Sequence, residues 1–442
     1  MKKPVRQDKH LRKLELKKVL ESTALTSRTC IAMLAGFLAT CVAQAPLPTP
    51  AAEEGLAEAT KADTAGLGRK VSSDKTLAAS PLPLPQQAKL HCAPVVVPKL
   101  PGLLTLGSRV FALPGGAVGF MCSEEAYKSD AVSETRRSHA LVSHDGGISW
   151  SDYAQDTSTW TYAPRLRNGT WLDVGSHGWE NHPDTPEERR RLTEANLYIF
   201  DAPQGNAPGT LSVIHRLWRR CSTDAGRTWS ERTELLLPQP MPHLATYGRP
   251  IVLRNGTYLA PMWGRFDLKD EPKYVSALVL RSTDSGRTWQ LVRVARSQTQ
   301  DFSEHEIVQA ANGDVISVIR TTAQRELWQA SSHDGGRTWT DLHVSGMAGS
   351  TPALLRLRSA LVCIYARRSV QTTGTTGMGV AISRDSGRSW RSYLLWDAQG
   401  ATVDGYPTVV ALPHGRVCAS FGALSGGRLS GWVATFDPAA LP

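Results

Sequence analysis

The chain has 442 residues and a mass of 48.1 kDa, which fits either one large fold built from repeats or two to three ordinary domains. Its 37 glycines and 27 prolines favour many turns and short strands over long helices. The formal net charge of +10 is concentrated at the start, because residues 1–28 hold nine basic and three acidic side chains. The rest of the chain shows no basic stripe with interleaved aromatic residues, so we expect no nucleic-acid partner.

The first 45 residues have the pattern of an export signal. Basic residues lead into an apolar stretch over 30–43, which is short for a bilayer span and suits the core of a signal peptide. Residues 43–45 (AQA) match a cleavage site, and residues 38–41 (LATC) form an imperfect lipidation box. The pattern predicts a signal peptide or N-terminal anchor over 1–45 and an exported protein, whether periplasmic, at the cell surface or secreted. Membrane contact is expected only through such an anchor or a lipid on Cys41.

Residues 46–98 are rich in proline and alanine and lack any apolar periodicity, which predicts a flexible linker. The folded domain is then expected over 99–442. Removing the leader leaves five cysteines, an odd number from which no disulfide framework can be inferred.

An eight-residue pattern, S-x-D-x-G-x-[ST]-W, occurs five times and marks an internal repeat. Its serine and aspartate side chains can accept hydrogen bonds from nearby backbone N–H groups, while its glycine supplies a positive φ. We therefore interpret each box as a structural hairpin turn. The boxes are SHDGGISW (143–150), STDAGRTW (222–229), STDSGRTW (282–289), SHDGGRTW (332–339) and SRDSGRSW (383–390).

A second repeated signal precedes each box and consists of alternating apolar residues on both sides of a tight turn. Asn-Gly between such runs, as at residues 168–169 and 255–256, is a strong hairpin signal. This unit occurs six times, the last without a following box. Six four-stranded units without helical periodicity predict an all-β fold, a six-bladed β-propeller. Its final strand, near 430–436, is expected to close the ring beside a strand near 103–110, and a short helix is expected within 176–195.

The strand order places the boxes on one face of this propeller and the starts of the first strands on the opposite face, around the central channel. Charged side chains converge there, and several arginines together favour an anionic ligand, since arginine binds carboxylates through two parallel hydrogen bonds. Some of them could instead form structural ion pairs with nearby acidic residues. The residues expected on this face include Glu304, Glu306, Tyr406, Arg249, Arg320, Arg367 and Arg368.

Five such boxes in a predicted propeller resemble the sialidase (neuraminidase) superfamily, whose members carry BNR, or Asp-box, repeats. Glu304 and Arg320 flank an Asn-Gly turn at the separation found in that superfamily, and residues 404–407 (DGYP) match the context of its tyrosine nucleophile. The resemblance implies an exo-α-sialidase with a retaining mechanism that acts on sialylated or other acidic glycans. A neutral tyrosine suits that substrate, because the sugar's carboxylate would repel an acidic nucleophile.

The resemblance also implies roles for individual residues. Tyr406 would be the nucleophile, Glu304 its base with Glu306 as the alternative, and Asp130 the acid/base. The superfamily's F/Y-R-I-P motif, which supplies its first arginine, is missing, so Arg109 or Arg249 is expected in its place. The substrate carboxylate would be bound by a group of arginines: Arg320, Arg367, Arg368, Arg249 and Arg109.

Two alternatives remain open from the sequence: a related propeller glycosidase acting on another acidic sugar, and a non-catalytic propeller that binds glycan or protein. Neither a metal nor a cofactor is expected. The histidines lack the spacing of metal ligands, and no glycine-rich phosphate-binding loop follows a predicted strand.

Overall fold

Strands dominate the computed structural model, which confirms the predicted all-β propeller fold. No helix in the described part of the chain has the length and apolar character that a membrane crossing requires. The predicted leader, 1–45, lies outside this part. The structure describes residues 82–83, 89–95, 104–125, 137–200, 209–237, 241–265, 274–322, 325–368, 375–398, 402–425 and 428–441.

The first complete sheet is a four-stranded antiparallel meander in the order β3-β4-β5-β6. Two short strands precede it in the chain and pair elsewhere. The bounds of these six strands are β1 Leu82–Pro83, β2 His91–Pro94, β3 Leu104–Ala112, β4 Val118–Glu125, β5 Arg137–Ser143 and β6 Ser151–Asp152.

The next sheet is interrupted by an insertion that contains the predicted helix. Thr185 caps this helix by accepting a hydrogen bond from the Glu188 amide at 3.2 Å, and Pro186 occupies its first turn. The sheet has the order β11-β10-β7, and β8 pairs with β9 in a separate hairpin. The elements are β7 Trp171–Ser176, β8 Glu180–Pro183, α1 Pro186–Glu194, β9 Thr210–Val213, β10 Leu217–Ser222 and β11 Thr233–Leu235.

The third sheet pairs β12 and β13 with the same neighbour, β14, followed by β15 and β16. The turn before β14 contains Asn255-Gly256, and Gly256 has a φ of +90°, as the hairpin signal requires. The bounds are β12 His243–Thr246, β13 Ile251–Val252, β14 Tyr258–Arg265, β15 Ser276–Ser282 and β16 Gln290–Ala295.

The following strands join into one eight-stranded sheet, because the 18-residue β20 is the last strand of one repeat unit and the first strand of the next. Because two repeat units share β20 in this sheet, the division of the fold into six blades stays a prediction. The strands are β17 Phe302–Gln309, β18 Val315–Thr321, β19 Glu326–Ser332, β20 Thr340–Leu357, β21 Ala360–Arg368, β22 Thr375–Ser383 and β23 Arg391–Asp397, with β1 parallel to β23 at the edge.

The last sheet is completed by a strand from the start of the domain. It has the order β2-β26-β25-β24, with β24 Thr402–Ala411, β25 Val417–Ser425 and β26 Arg428–Phe436. Residues 430–436 do lie beside the strand near 103–110, since a Cβ on Gly431 would be 3.4 Å from Ser108 of β3, but the two strands do not pair: β26 bonds to β2, whereas β3 bonds to β4. β2 lies within the stretch 46–98 assigned to a linker, so the folded sheet begins before residue 99.

Four of the boxes link the third and fourth strands of their units, as the sequence predicted, and the box at 222–229 links β10 and β11, the last two strands of the three-stranded second sheet. In the box at 282–289, Ser282 Oγ donates to Asp284 at 2.8 Å and the Thr288 amide donates to the same carboxylate at 2.9 Å. These bonds hold the pKa of Asp284 at about 2, although burial alone would raise it. The arrangement is that of a turn-stabilising aspartate.

The boxes also fasten neighbouring sheets to each other. A Cβ on Gly286 would lie 2.7 Å from Leu172 of β7, and the Gly286 carbonyl accepts a hydrogen bond from Arg219 of β10 at 2.7 Å. The first and last sheets are joined in the same way, since Thr435 Oγ1 donates to the carbonyl of Gly146 at 2.9 Å. The boxes therefore have a structural role between sheets as well as within each turn.

Candidate active site

The strands that line the central channel share a backbone irregularity near one end. Register shifts occur in β3, β17, β20 and β24. In the third sheet, the gap between β12 and β13 lies at the same level. A bulge bends its strand and redirects side chains, and bulges are common beside active sites. Glu304 of β17 and Tyr406 of β24 both lie at these irregularities.

Tyr406 and Glu304 form a direct contact at this end of the channel. Tyr406 Oη donates a hydrogen bond to Glu304 Oε1 at 2.8 Å, across 102 residues of sequence. Tyr406 is 46% exposed, whereas the side chain of Glu304 is only 12% exposed. The pair therefore combines a partly exposed tyrosine with a shielded carboxylate.

Arg320 completes the group by forming an ion pair with the other oxygen of the same carboxylate, Glu304 Oε2. Arg320 lies near the end of β18, which pairs with β17. The box that begins at Ser332 lies at the other end of β18, where Ser332 of β19 is opposite Val315. Arg320 is 15% exposed, and its buried Nε has no partner in the described structure. The charged group and the boxes thus occupy opposite ends of the strands, as the sequence predicted.

The electrostatics keep the tyrosine neutral. Burial is the main cause that raises the pKa of Tyr406 well above its ordinary value; Glu304 raises it further and Arg320 opposes both. Burial alone would lower the pKa of Arg320, but the neighbouring carboxylate more than offsets this effect, so the guanidinium stays charged. Tyr406 can therefore act as a nucleophile only if its proton is taken up during the attack.

A second ion pair lies deeper and has a different role. Arg249 Nε donates to Glu306 Oε1 at 2.8 Å, one of its terminal nitrogens donates to the carbonyl of Val409 at 2.6 Å, and the other donates to the carbonyl of Leu354. These acceptors belong to β17, β24 and β20. One guanidinium thus connects three channel-lining strands to its own segment.

This arrangement separates Arg249 and Glu306 from the roles that the sequence suggested for them. Glu306 is 4% exposed; burial raises its pKa and the charge of Arg249 opposes that effect. Tyr406 donates to Glu304 and not to Glu306, and Arg249 is bonded within the protein. The structural ion pair that the sequence left open is the one observed here.

The remaining candidates are less tightly placed. Arg109 is exposed on β3, and Arg367 is partly exposed on β21; among the described residues neither has an ion-pair partner. For Arg368 only the backbone is described, and Asp130 lies outside the described residues. Within the described structure, Arg320 is the one candidate arginine that contacts the Tyr406–Glu304 pair.

His305, between Glu304 and Glu306 on β17, is a buried structural residue. Nδ1 contacts Ser317 Oγ at 2.8 Å, and Nε2 contacts the carbonyls of Met262 and Leu278 at 2.9 and 2.8 Å. Burial lowers its pKa to about 4, so the ring is neutral and ties β17 to the third sheet. No group of three or more potential metal-binding side chains occurs in the ranges that the structure covers.

Tyr247 was overlooked in the sequence, although it lies in the same YGRP segment as Arg249. Its ring centroid is 6.0 Å from that of Tyr406, at an interplanar angle of 62°. The signal available was an aromatic residue next to a glycine at the start of an inner strand, the same context that identified Tyr406.

Comparisons with known proteins agree with this architecture. A sialidase from Micromonospora viridifaciens is 25% identical over 296 residues, and one from Bacteroides fragilis is 24% identical over 185 residues. These alignments cover 62% and 38% of this chain, and the chain spans only 43% and 32% of the two relatives.

Solved structures share the fold. A Dyadobacter fermentans protein of unknown function superposes with a TM-score of 0.59 at 21% identity, covering 79% of this chain and 99% of its own. The intramolecular trans-sialidase of Ruminococcus gnavus superposes with a TM-score of 0.50 at 14% identity, covering 76% and 95%. The family model of the BNR repeat-like domain matches residues 194–418, which is half of the sequence. The chain therefore belongs to the BNR repeat-like domain family.

Proposed function

We propose that the protein is a retaining exo-glycosidase of the sialidase type, which hydrolyses terminal α-linked sialic acid from glycoconjugates. The observation that carries this proposal is the 2.8 Å hydrogen bond from Tyr406 Oη to Glu304, with Arg320 on the other carboxylate oxygen. A hydroxyl nucleophile, a base within reach of its proton and a cation beside them are the parts that such a reaction needs.

In the first step, Tyr406 Oη attacks the anomeric carbon and its proton passes to Glu304 Oε1. The bond to the leaving sugar breaks as the new bond forms, and an acid protonates the departing oxygen; Asp130 is the proposed acid. Water then attacks the anomeric carbon and gives one proton to the Asp130 carboxylate, while the glycosyl–tyrosine bond breaks and the proton held by Glu304 returns to Tyr406. Two successive inversions at the same carbon give net retention.

Arg320 has two uses in this scheme. Its positive charge is paired with the Glu304 carboxylate and holds that side chain beside the hydroxyl of Tyr406. It is also the candidate for contact with the substrate carboxylate, since its side chain remains partly exposed. Arg367 and Arg109 are the further candidates for this contact.

One observation favours a second candidate, a related glycosidase acting on another acidic sugar. Arg249 is bonded to Glu306 and to two carbonyls, which leaves fewer arginines available for a carboxylate than the sequence suggested. A uronic acid, which places its carboxylate away from the anomeric carbon, would need a different arrangement of these side chains.

The test is hydrolysis of fluorogenic α-sialosides and uronosides by the full chain, beside Tyr406→Phe and Glu304→Gln. Cleavage of the sialoside, reduced at least a thousandfold in Tyr406→Phe, is the expected result, on the order of losses seen when a nucleophile is removed. Cleavage of only a uronoside would favour the second candidate. Binding of glycans without cleavage would make the protein a non-catalytic propeller.

Export is a separate proposal, supported by the basic start and apolar stretch within 1–45. Mass spectrometry of the mature protein from culture fractions tests it. A mature N-terminus near residue 46, or a lipid on Cys41, is expected; an intact leader on protein inside the cell would contradict it.

A further inference from the structure

Residues in the left-handed backbone region surround the candidate nucleophile. Gly405 and Tyr406 have φ values of +83° and +53°, and Thr351, at the corresponding bulge of β20, has a φ of +47°. For a β-branched residue this conformation is a genuine outlier, and such outliers persist only where surrounding contacts impose them. Two neighbouring inner strands therefore carry the same unusual backbone at the same level of the channel.

Thr351 lies directly against the residue that precedes Tyr406. A Cβ on Gly405 would lie 3.0 Å from Thr351 Oγ1, so the hydroxyl occupies the space beside the Gly405 α-carbon. Thr351 is 3% exposed, and its hydroxyl has no hydrogen-bond partner in the described part of the protein. A buried hydroxyl without a partner is unfavourable for folding, so its presence here calls for a reason other than stability.

Tyr247 also contacts Tyr406, and its segment reaches the strand of the base. Its ring packs edge-on against Tyr406, and its hydroxyl lies 3.4 Å from the carbonyl of Pro352, the residue after Thr351. The next residue, Gly248, approaches β17 so closely that a Cβ there would lie 2.5 Å from the carbonyl of His305, which follows Glu304. The segment 247–248 therefore contacts both the candidate nucleophile and the strand of the base.

We propose that Thr351 and Tyr247 are positioning residues for the Tyr406–Glu304 pair. Thr351 Oγ1 supports Gly405 and keeps Tyr406 in its left-handed conformation, while the Tyr247 ring prevents the Tyr406 side chain from turning away. Neither touches the reacting atoms; together they hold the 2.8 Å contact between hydroxyl and base. The expected changes in kcat rest on the proposed function, whereas the expected change in the contact between Tyr406 and Glu304 does not.

The kinetic test compares Thr351→Ala with Thr351→Ser, two variants that differ only in the side-chain hydroxyl. Thr351→Ala removes the hydroxyl and is expected to lower kcat by about tenfold to a hundredfold with KM changed by less than about threefold, the effect of a small misplacement of reacting groups. Thr351→Ser keeps the hydroxyl and should retain kcat within about threefold. Tyr247→Leu should resemble Thr351→Ala, because it removes the ring.

A matched control separates positioning from general stability. Thr435 is also fully buried, and its hydroxyl bonds to Gly146 at the opposite end of the strands. Thr435→Ala should lower the melting temperature and leave kcat unchanged. If Thr351→Ala and Thr351→Ser have the same kcat, or if Thr435→Ala loses as much kcat as Thr351→Ala, the proposal is overturned.

A second readout does not depend on catalysis. Crystal structures of the wild type, Thr351→Ala and Thr351→Ser measure the contact between Tyr406 Oη and Glu304 Oε1 directly. The 2.8 Å contact should be lost in Thr351→Ala and kept in Thr351→Ser. An unchanged contact in Thr351→Ala would refute the positioning role even if the wild type cleaves no sialoside, and a lost one would support it in that case.

Discussion

Replacing Arg249 tests whether it joins the inner strands or binds substrate. Arg249→Met keeps most of the side-chain volume but removes the three hydrogen bonds to Glu306, Val409 and Leu354. The carboxylate of Glu306, with a side chain 6% exposed, would then lack its cation. Breaking a buried ion pair by removing one partner costs about 3–5 kcal/mol, and we expect a loss in this range from the free energy of unfolding.

The assay is equilibrium urea unfolding of wild type, Arg249→Met, Glu306→Gln and the double variant, followed by tryptophan fluorescence. The double variant should be less destabilised than Arg249→Met, because no unpaired charge remains buried. Arg109→Met is the control, since an exposed arginine on β3 should change stability by less than about 0.5 kcal/mol.

The destabilisation of Arg249→Met should also depend on pH. Without its cation, Glu306 would have a folded-state pKa raised further above its unfolded value, so the folded state would bind the proton more readily. The stability of this variant should therefore recover as the pH falls from neutral towards the ordinary pKa of a glutamate. A loss below about 1 kcal/mol at neutral pH, together with a large increase in KM, would refute the structural role and favour substrate binding.

Three further predictions follow from the fold. Burial lowers the pKa of His305 to about 4, so His305 should contribute a loss of roughly 3 kcal/mol of stability as the pH falls from 6.5 towards 4, because the unfolded state takes up the proton first. pH-dependent unfolding should keep this part of the slope in His144→Asn, an exposed control, and lose it in His305→Gln, where the buried His243 still contributes its own slope. A chain that begins at residue 96 lacks β2 and leaves the edge of β26 free, so its melting temperature should be lower and its aggregation greater than in a chain that begins at residue 89, which lacks β1 but keeps β2; equal melting temperatures would contradict the closure by β2. Asp284→Ala should lower the free energy of unfolding by about 2 kcal/mol through its lost charged hydrogen bonds and leave kcat/KM unchanged, whereas a large kinetic effect would show that the box is not purely structural.

The repeats explain why so much of the fold could be predicted. The boxes and the Asn-Gly turns are local signals, since their hydrogen bonds join residues only two to four positions apart. Glu304 and Arg320 face each other for a similarly local reason, because they lie on the two strands of one hairpin. Tyr406 was identified by its resemblance to a known motif.

Contacts between distant strands could not be predicted from such signals. Arg249 and Glu306 are 57 positions apart, and Arg249 and Val409 are 160 apart; their contacts depend on how the bulges aim each side chain. The same reason hid the roles of Tyr247 and Thr351. The pairing of β2 with β26 was missed because a four-residue strand within a proline-rich stretch carries little periodicity.

The central claim is that Tyr406 forms a covalent bond to the sugar, and trapping that intermediate tests it most directly. A fluorinated sialosyl fluoride reacts as a substrate but slows release of the glycosyl–enzyme, so the adduct accumulates and can be located by peptide mass spectrometry. We predict one added glycosyl group, on the peptide that contains Tyr406, and none in Tyr406→Phe. Hydrolysis of sialosides by a protein whose adduct lies on another residue, or that forms no adduct, would contradict the mechanism.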